Sequence, residues 1–211
     1  MKYDHWIEAV FGPSGNGSVD LPCQEEAVDT FHADIAFDYV DRMLTDPGIH
    51  SIYDKTQLGE GITMIYSNGE SDLPFLYTVE GTEIRRIKGI QNLRHLYGNF
   101  FERYCTAPVE RIGSERTDGP LGYMCYMFWD LFVLYSGNAS PGMISAALDV
   151  MNRALFSRNE NCRVSAIHGL GHWSTTVPEA VGILKRFLKR PTTDNPQVLA
   201  YAQAATTGRI P

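Results

Sequence analysis

Apolar residues along this chain return at steps of three and four rather than two, which predicts helices. Over Glu25 to Thr45 the recurring set is Val28, Phe31, Ile35, Tyr39 and Met43, while Asp34, Asp38 and Asp41 fall on another face. Glu25, Glu26 and Asp29 occupy the first turns, where the helix dipole favours anions. Asp46-Pro47-Gly48 ends the segment, since proline cannot continue a helix. A second helix is expected from Asp54 as N-cap to about Tyr66, weakened by Gln57, Glu60 and Gly61 and broken by Ser67-Asn68-Gly69. Leu73 to Val79, with Pro74 inside it, reads as a loop or an edge strand. Thr82 opens a long helix to about Cys105 with a stripe of Ile84, Ile87, Ile90, Leu93, Leu96, Tyr97, Phe100, Phe101 and Tyr104.

Pro108 to Gly119 reads as a loop. Pro120 suits the first turn of the next helix, where its missing N–H costs nothing. That helix should run to about Leu134, and its aromatics on nearly every side predict a central position. Four more helices follow: Pro141 to about Phe156, one capped by Asn161 and reaching Trp173, one from Pro178 to Leu188, and one from Asn195-Pro196 to near Gly208. The expected fold is all-α in a single domain, 1–211, with an N-terminal acidic helical region (1–139) and a second helical region (140–211).

Small residues are frequent in the second region, including Ala146, Ala147, Ala166, Gly169, Gly171, Ala202 and Ala205. They let helices approach closely, as stacked antiparallel pairs require. The segment from Cys162 to Trp173 resembles the first helix of a HEAT-type repeat, with Arg163, Ala166, Leu170 and Gly171 at the positions of an R-x-x-A-x-x-x-L-G pattern. Val177 to Lys189 resembles the partner helix. The likeness covers residues 141–211 and implies a non-catalytic, protein-binding α-α superhelix. Two repeats cannot stand alone, so the N-terminal helices are expected to cap them. The His-Gly-Leu-Gly-His segment is also similar to one in bacterial helical proteins, a likeness that implies no activity.

Charge refines this reading. Residues 1–80 carry 15 acidic and three basic side chains, residues 81–139 are close to neutral, and residues 140–211 are mildly basic, for a total of −7. A general nucleic-acid binder needs cations for phosphates and is not expected. No segment is long and apolar enough for a bilayer, because Asp130 interrupts the most apolar stretch, Leu121 to Leu134. The start of the chain lacks the basic and apolar regions of a signal peptide. Cys23, Cys105, Cys125 and Cys162 form no CxxC pair, which disfavours structural zinc. Reduced thiols in a cytoplasmic protein are the expectation.

Candidate chemistry is sparse. Gly12 to Ser18 lacks the GK[ST] ending of a phosphate loop, and no Gly-x-Ser-x-Gly exists. His168 and His172, four apart on a helix, can face one side and hold a divalent ion. The zinc-protease version places Glu after the first His; here Gly169 stands there. A third ligand has to come from elsewhere, such as Asp130 or His95. The commoner use of such a pair is hydrogen bonding beside a core. Trp129-Asp130, with Tyr123, Tyr126 and Phe128, suits either core or a pocket wall. The sequence therefore favours a non-catalytic binding module, without cofactor, that meets a basic protein partner through Glu26, Asp34, Asp38 and Asp41. An immunity-type inhibitor is the concrete form of that expectation. The alternative is a metal-dependent hydrolase using His168 and His172.

Overall fold

The computed structural model describes residues 2–13, 33–110, 112 and 118–210. Every regular element among them is helical, so the chain is all-α, as its periodicity predicts. The order is α1 (Tyr3–Phe11), α2 (Ala33–Thr45), the short α3 (Ile49–Ile52), α4 (Lys55–Tyr66), a 3-10 turn (Leu73–Tyr77) and α5 (Glu83–Leu96). A π turn (Tyr97–Phe101) carries α5 into the one-turn α6 (Glu102–Tyr104). Then come α7 (Gly119–Leu131), α8 (Pro141–Ala154), α9 (Glu160–Trp173), α10 (Pro178–Lys189) and α11 (Pro196–Ala205).

Local signals explain most boundaries. Asp54 caps α4 through the N–H groups of Thr56 and Gln57, and the Gln57 side chain accepts the Asp54 N–H in return. Gln57 thus starts the helix rather than weakening it, because an amide at the third position closes a capping box. Leu73–Tyr77 is a 3-10 turn, neither loop nor strand; Pro74 is compatible with a helical first turn, and its ring is buried. The cap of α9 is Asn159, not Asn161. Asn161 lies inside the helix, buried, and its amide donates to the carbonyls of Cys105 and Ala107, tying α9 to the chain beyond α6.

The start of the expected 25–45 helix, with Val28 and Phe31, lies outside the described residues. On α2 the buried side chains are Ala36, Phe37, Val40, Met43 and Leu44. Ile35 is exposed, and Tyr39 flanks the core beside Tyr3 and Trp6. The true stripe is rotated from the one expected because two apolar rows share this helix, and the row with more apolar positions faces α5. Ile84 also leaves its expected stripe and is 82 % exposed at the start of α5.

The core centres on α7, which packs against α4 on one side and α9 on the other. Glycine makes the first crossing close: a Cβ on Gly59 would stand 2.4 Å from the backbone nitrogen of Leu121. Phe128 stacks on Phe132 at 5.2 Å and meets Tyr66 edge-on at 5.5 Å. Helix α9 is buried without a break from Asn161 to Gly171, because α7, α8, α10 and α11 all pack on it. Val164, Ile167 and Leu170 are fully buried, each worth about 1.5–3 kcal/mol relative to exposure. Between α7 and α9 the Cys125 thiol lies beside those of Cys105 and Cys162; burial, then these two neighbours, push it well above the usual thiol range. All three thiols are free and buried, as inert packing requires.

Helices α7 and α9 run in the same direction. Cys125 meets Cys162, the Tyr126 ring lies 4.7 Å from that of His168, and Gly169 abuts Trp129. Their C-terminal ends therefore arrive together, and this positions the site.

Candidate metal centre

Asp130 is the penultimate residue of α7, and His172 is the penultimate residue of α9. His168 sits one turn back from His172. His168 Nε2 lies 2.8 Å from Asp130 Oδ2 and 3.0 Å from His172 Nε2. His172 Nε2 is also in contact with Asp130 Oδ1. Three donor atoms, two imidazole nitrogens and a carboxylate, thus converge on one point. This is the one group of three or more His, Cys, Asp or Glu side chains among the described residues that fits a metal ion.

The separations carry chemical information. Bonds of about 2.0–2.1 Å place neighbouring ligands of an octahedral ion about 2.9 Å apart, and those of a tetrahedral ion about 3.3 Å apart. The 2.8 and 3.0 Å spacings are those of hydrogen bonds between the donors, and they are short enough for one ion to reach all three side chains. Two imidazoles and one carboxylate on one face suit a first-row divalent ion and leave the opposite positions open.

Electrostatics favour a cation here. A helix C-terminus carries roughly half a negative charge, and two such ends meet at Asp130. A carboxylate in the last turn opposes its own helix dipole, so positive charge must compensate it. Burial alone would raise the Asp130 pKa, but hydrogen bonds from His168 and His172, and their charge, outweigh burial and hold it well below the usual carboxylate range. Asp130 therefore stays ionised.

Surrounding groups fix the donors. The Tyr201 hydroxyl on α11 lies 2.5 Å from His168 Nδ1. Nε2 itself hydrogen-bonds to Asp130; an ion would displace that proton, and Nδ1 donating to the Tyr201 oxygen would then hold the tautomer that presents the Nε2 lone pair. His168 is 1 % exposed, so its ring is locked. Beside Asp130, the Trp129 indole N–H donates to the Tyr97 hydroxyl (2.9 Å), which shares a 2.7 Å hydrogen bond with Ser165 on α9. This buried relay fixes the rotation of α7 against α9.

Gly169 explains the missing glutamate. A Cβ at this position would stand 2.5 Å from the Trp129 ring, so no larger residue fits. The crossing that excludes a carboxylate next to His168 is the one that brings in Asp130 from α7.

A cavity of about 750 Å³ opens on the same point, lined by Asp130 and His172 among others. Trp129 is at once buried and part of that wall, so the aromatic segment serves as both core and pocket. His95, the other third ligand considered, lies outside the cluster and accepts a hydrogen bond from Arg94 Nε at 3.3 Å.

The acidic positions are arranged differently from a continuous free face. Glu26 lies outside the described residues. Asp34 is exposed. Asp38 and Asp41 accept hydrogen bonds from the Arg85 guanidinium at 2.7 and 2.8 Å, and Asn92 donates to Asp41 at 2.8 Å. Part of the negative charge of α2 is thus neutralised by α5. Tyr201 was not legible in the sequence, since a tyrosine on the last helix carries no local signal for a histidine 33 residues earlier.

The chain matches no family model, no curated protein and no solved structure.

Proposed function

We propose that the chain is a divalent-metal-dependent hydrolase whose ion is held by Asp130, His168 and His172. The observation that supports this most is the convergence of three donors from two parallel helix ends onto the wall of a cavity. Three protein ligands leave room for water and substrate, as catalytic sites require. An ion so held would supply Lewis-acid chemistry and would lower the pKa of a water toward neutrality. Hydrolysis adds the water oxygen to an acyl carbon and breaks the bond from that carbon to its leaving nitrogen or oxygen. One water proton ends on the leaving group and the other is released with the acid product. His168, held by Tyr201, and Asp130, held beside Trp129, fix the ion; His172 and Asp130 present it to the cavity.

The protein-binding alternative, an immunity-type inhibitor with an acidic surface, draws on the charge of residues 1–80. Its support is thinner because Arg85 occupies Asp38 and Asp41. The HEAT-like reading of residues 141–211 draws support from the consecutive packing of α8 on α9, α9 on α10 and α10 on α11.

Elemental analysis of untagged protein, followed by calorimetric titration with Mn²⁺, Co²⁺ and Zn²⁺, tests the hydrolase reading. One ion per chain, lost in both His168→Ala and Asp130→Asn, together with metal-dependent turnover of an ester or amide in a substrate panel, is the expected result. No binding of any of the three ions would overturn it.

A further inference from the structure

Resting on that metal centre, we propose that its cavity takes a small uncharged acyl compound, an amide or ester with an aromatic or branched aliphatic body, and rejects phosphate esters. The wall decides this. Among the described residues no lysine or arginine lines the cavity, and Asp130 is the one carboxylate there. A phosphate monoester would carry its negative charge toward Asp130 and two helix C-termini, with only the ion to offset them. A neutral carbonyl brings no such repulsion and still offers an oxygen to the ion.

The apolar side chains point the same way. Eight large hydrophobic side chains are exposed among the described residues, and three of them, Val79 (67 %), Tyr135 (59 %) and Phe75 (38 %), border this cavity. Behind them the indoles of Trp129 and Trp173 form the inner wall, their rings 6.3 Å apart and nearly perpendicular. The rim is held in place: Arg86, itself absent from the lining, donates to the carbonyls of Val79, Glu80 and Gly81 at 3.2, 3.4 and 3.1 Å. A volume near 750 Å³ suits one small molecule rather than a protein segment.

Binding is read by quenching of Trp129 and Trp173 fluorescence and by calorimetry. Metal-free protein is titrated with 4-phenylbutanamide and with 4-phenylbutyl phosphate; metal-loaded protein is titrated with 4-phenylbutanehydroxamate and with acetohydroxamate. The amide should bind the metal-free protein at least tenfold more tightly than the phosphate. The phenylalkyl hydroxamate should bind the loaded protein at least tenfold more tightly than acetohydroxamate. Val79→Lys and Tyr135→Lys, two exposed positions whose folding is checked by circular dichroism, should each weaken the amide and strengthen the phosphate. Equal affinity for the two hydroxamates, preference for the phosphate, or no effect of either lysine overturns the assignment. If no ion binds but the amide does, the metal centre fails while the cavity assignment stands; if an ion binds without a phenylalkyl preference, the reverse holds.

Discussion

Gly169 lies against the indole of Trp129 so closely that a single added methyl would meet the ring at 2.5 Å. This contact sets the distance between α7 and α9, and through it the distance between Asp130 and the two histidines. Gly169→Ala should cost about 1–3 kcal/mol in urea unfolding, the usual penalty for overfilling a packed contact, and should abolish stoichiometric Co²⁺ binding. Gly169→Glu, which restores the zinc-protease pattern in sequence, should be worse on both counts. A stable Gly169→Glu variant that binds metal would contradict the packing argument.

At the proposed metal centre Tyr201 would act on the ion through His168. Tyr201→Phe keeps the ring and removes the hydroxyl that meets Nδ1. Metal affinity should fall about 10–100-fold, the usual effect of losing such a partner, while far-UV circular dichroism stays unchanged. The visible band of bound Co²⁺ should shift as well, since imidazole basicity changes. An unaltered affinity and spectrum would leave Tyr201 a packing residue.

Metal should stabilise the folded chain without being needed for folding, because α7 and α9 are held by the surrounding core. Ion at about one hundred times its Kd adds about 2.7 kcal/mol, a rise in Tm of several degrees. Thermal scans of the native protein should show it, and the His168→Ala/His172→Ala double variant should show none. Chelator should return the native protein to the metal-free Tm rather than unfold it.

Arg85 joins α5 to α2 by holding Asp38 and Asp41 and lying 4.9 Å over the Phe37 ring. Arg85→Ala leaves the half-buried Asp41 carboxylate without its guanidinium. Stability should fall by about 1–3 kcal/mol, the range for hydrogen bonds to charged groups, with no change in metal affinity, since α2 does not reach the site.

Alkaline pH should unfold the protein partly through Tyr53. Burial, and then its hydrogen bond to Glu8, push its phenol up to about 12 from 10.0. A raised folded value favours the neutral phenol, so this contribution is complete below pH 10 and is lost as pH rises through about 12. Tyr53→Phe should flatten that limb of the stability curve; an unchanged limb would refute the assignment.

Much of the fold was legible in the sequence because helix signals are local. Asp54, Pro141 and Asn195 announce helix starts that the structure shows, and the aromatic spacing of residues 120–134 gives away a central helix. Ile35 and Ile84 were misread because periodicity marks an apolar face without saying what covers it; only the packing partner decides that. The histidine pair was visible as a spacing, and Asp130 as an acid inside the most apolar stretch. Asp130 was legible as one of two third ligands, beside His95; the choice between them was not, because it depends on two helices running parallel, and direction across an intervening helix is a tertiary fact. The role of Gly169 was hidden for the same reason: its glycine is demanded by a ring 40 residues away.

The donors at this centre come from both sides of residue 140, with Asp130 before it and His168 and His172 after it. Neither portion of the chain holds the whole donor set. A protein cut between residues 139 and 140 would divide that set between its two fragments, and an ion held there would become the rivet that draws them back together.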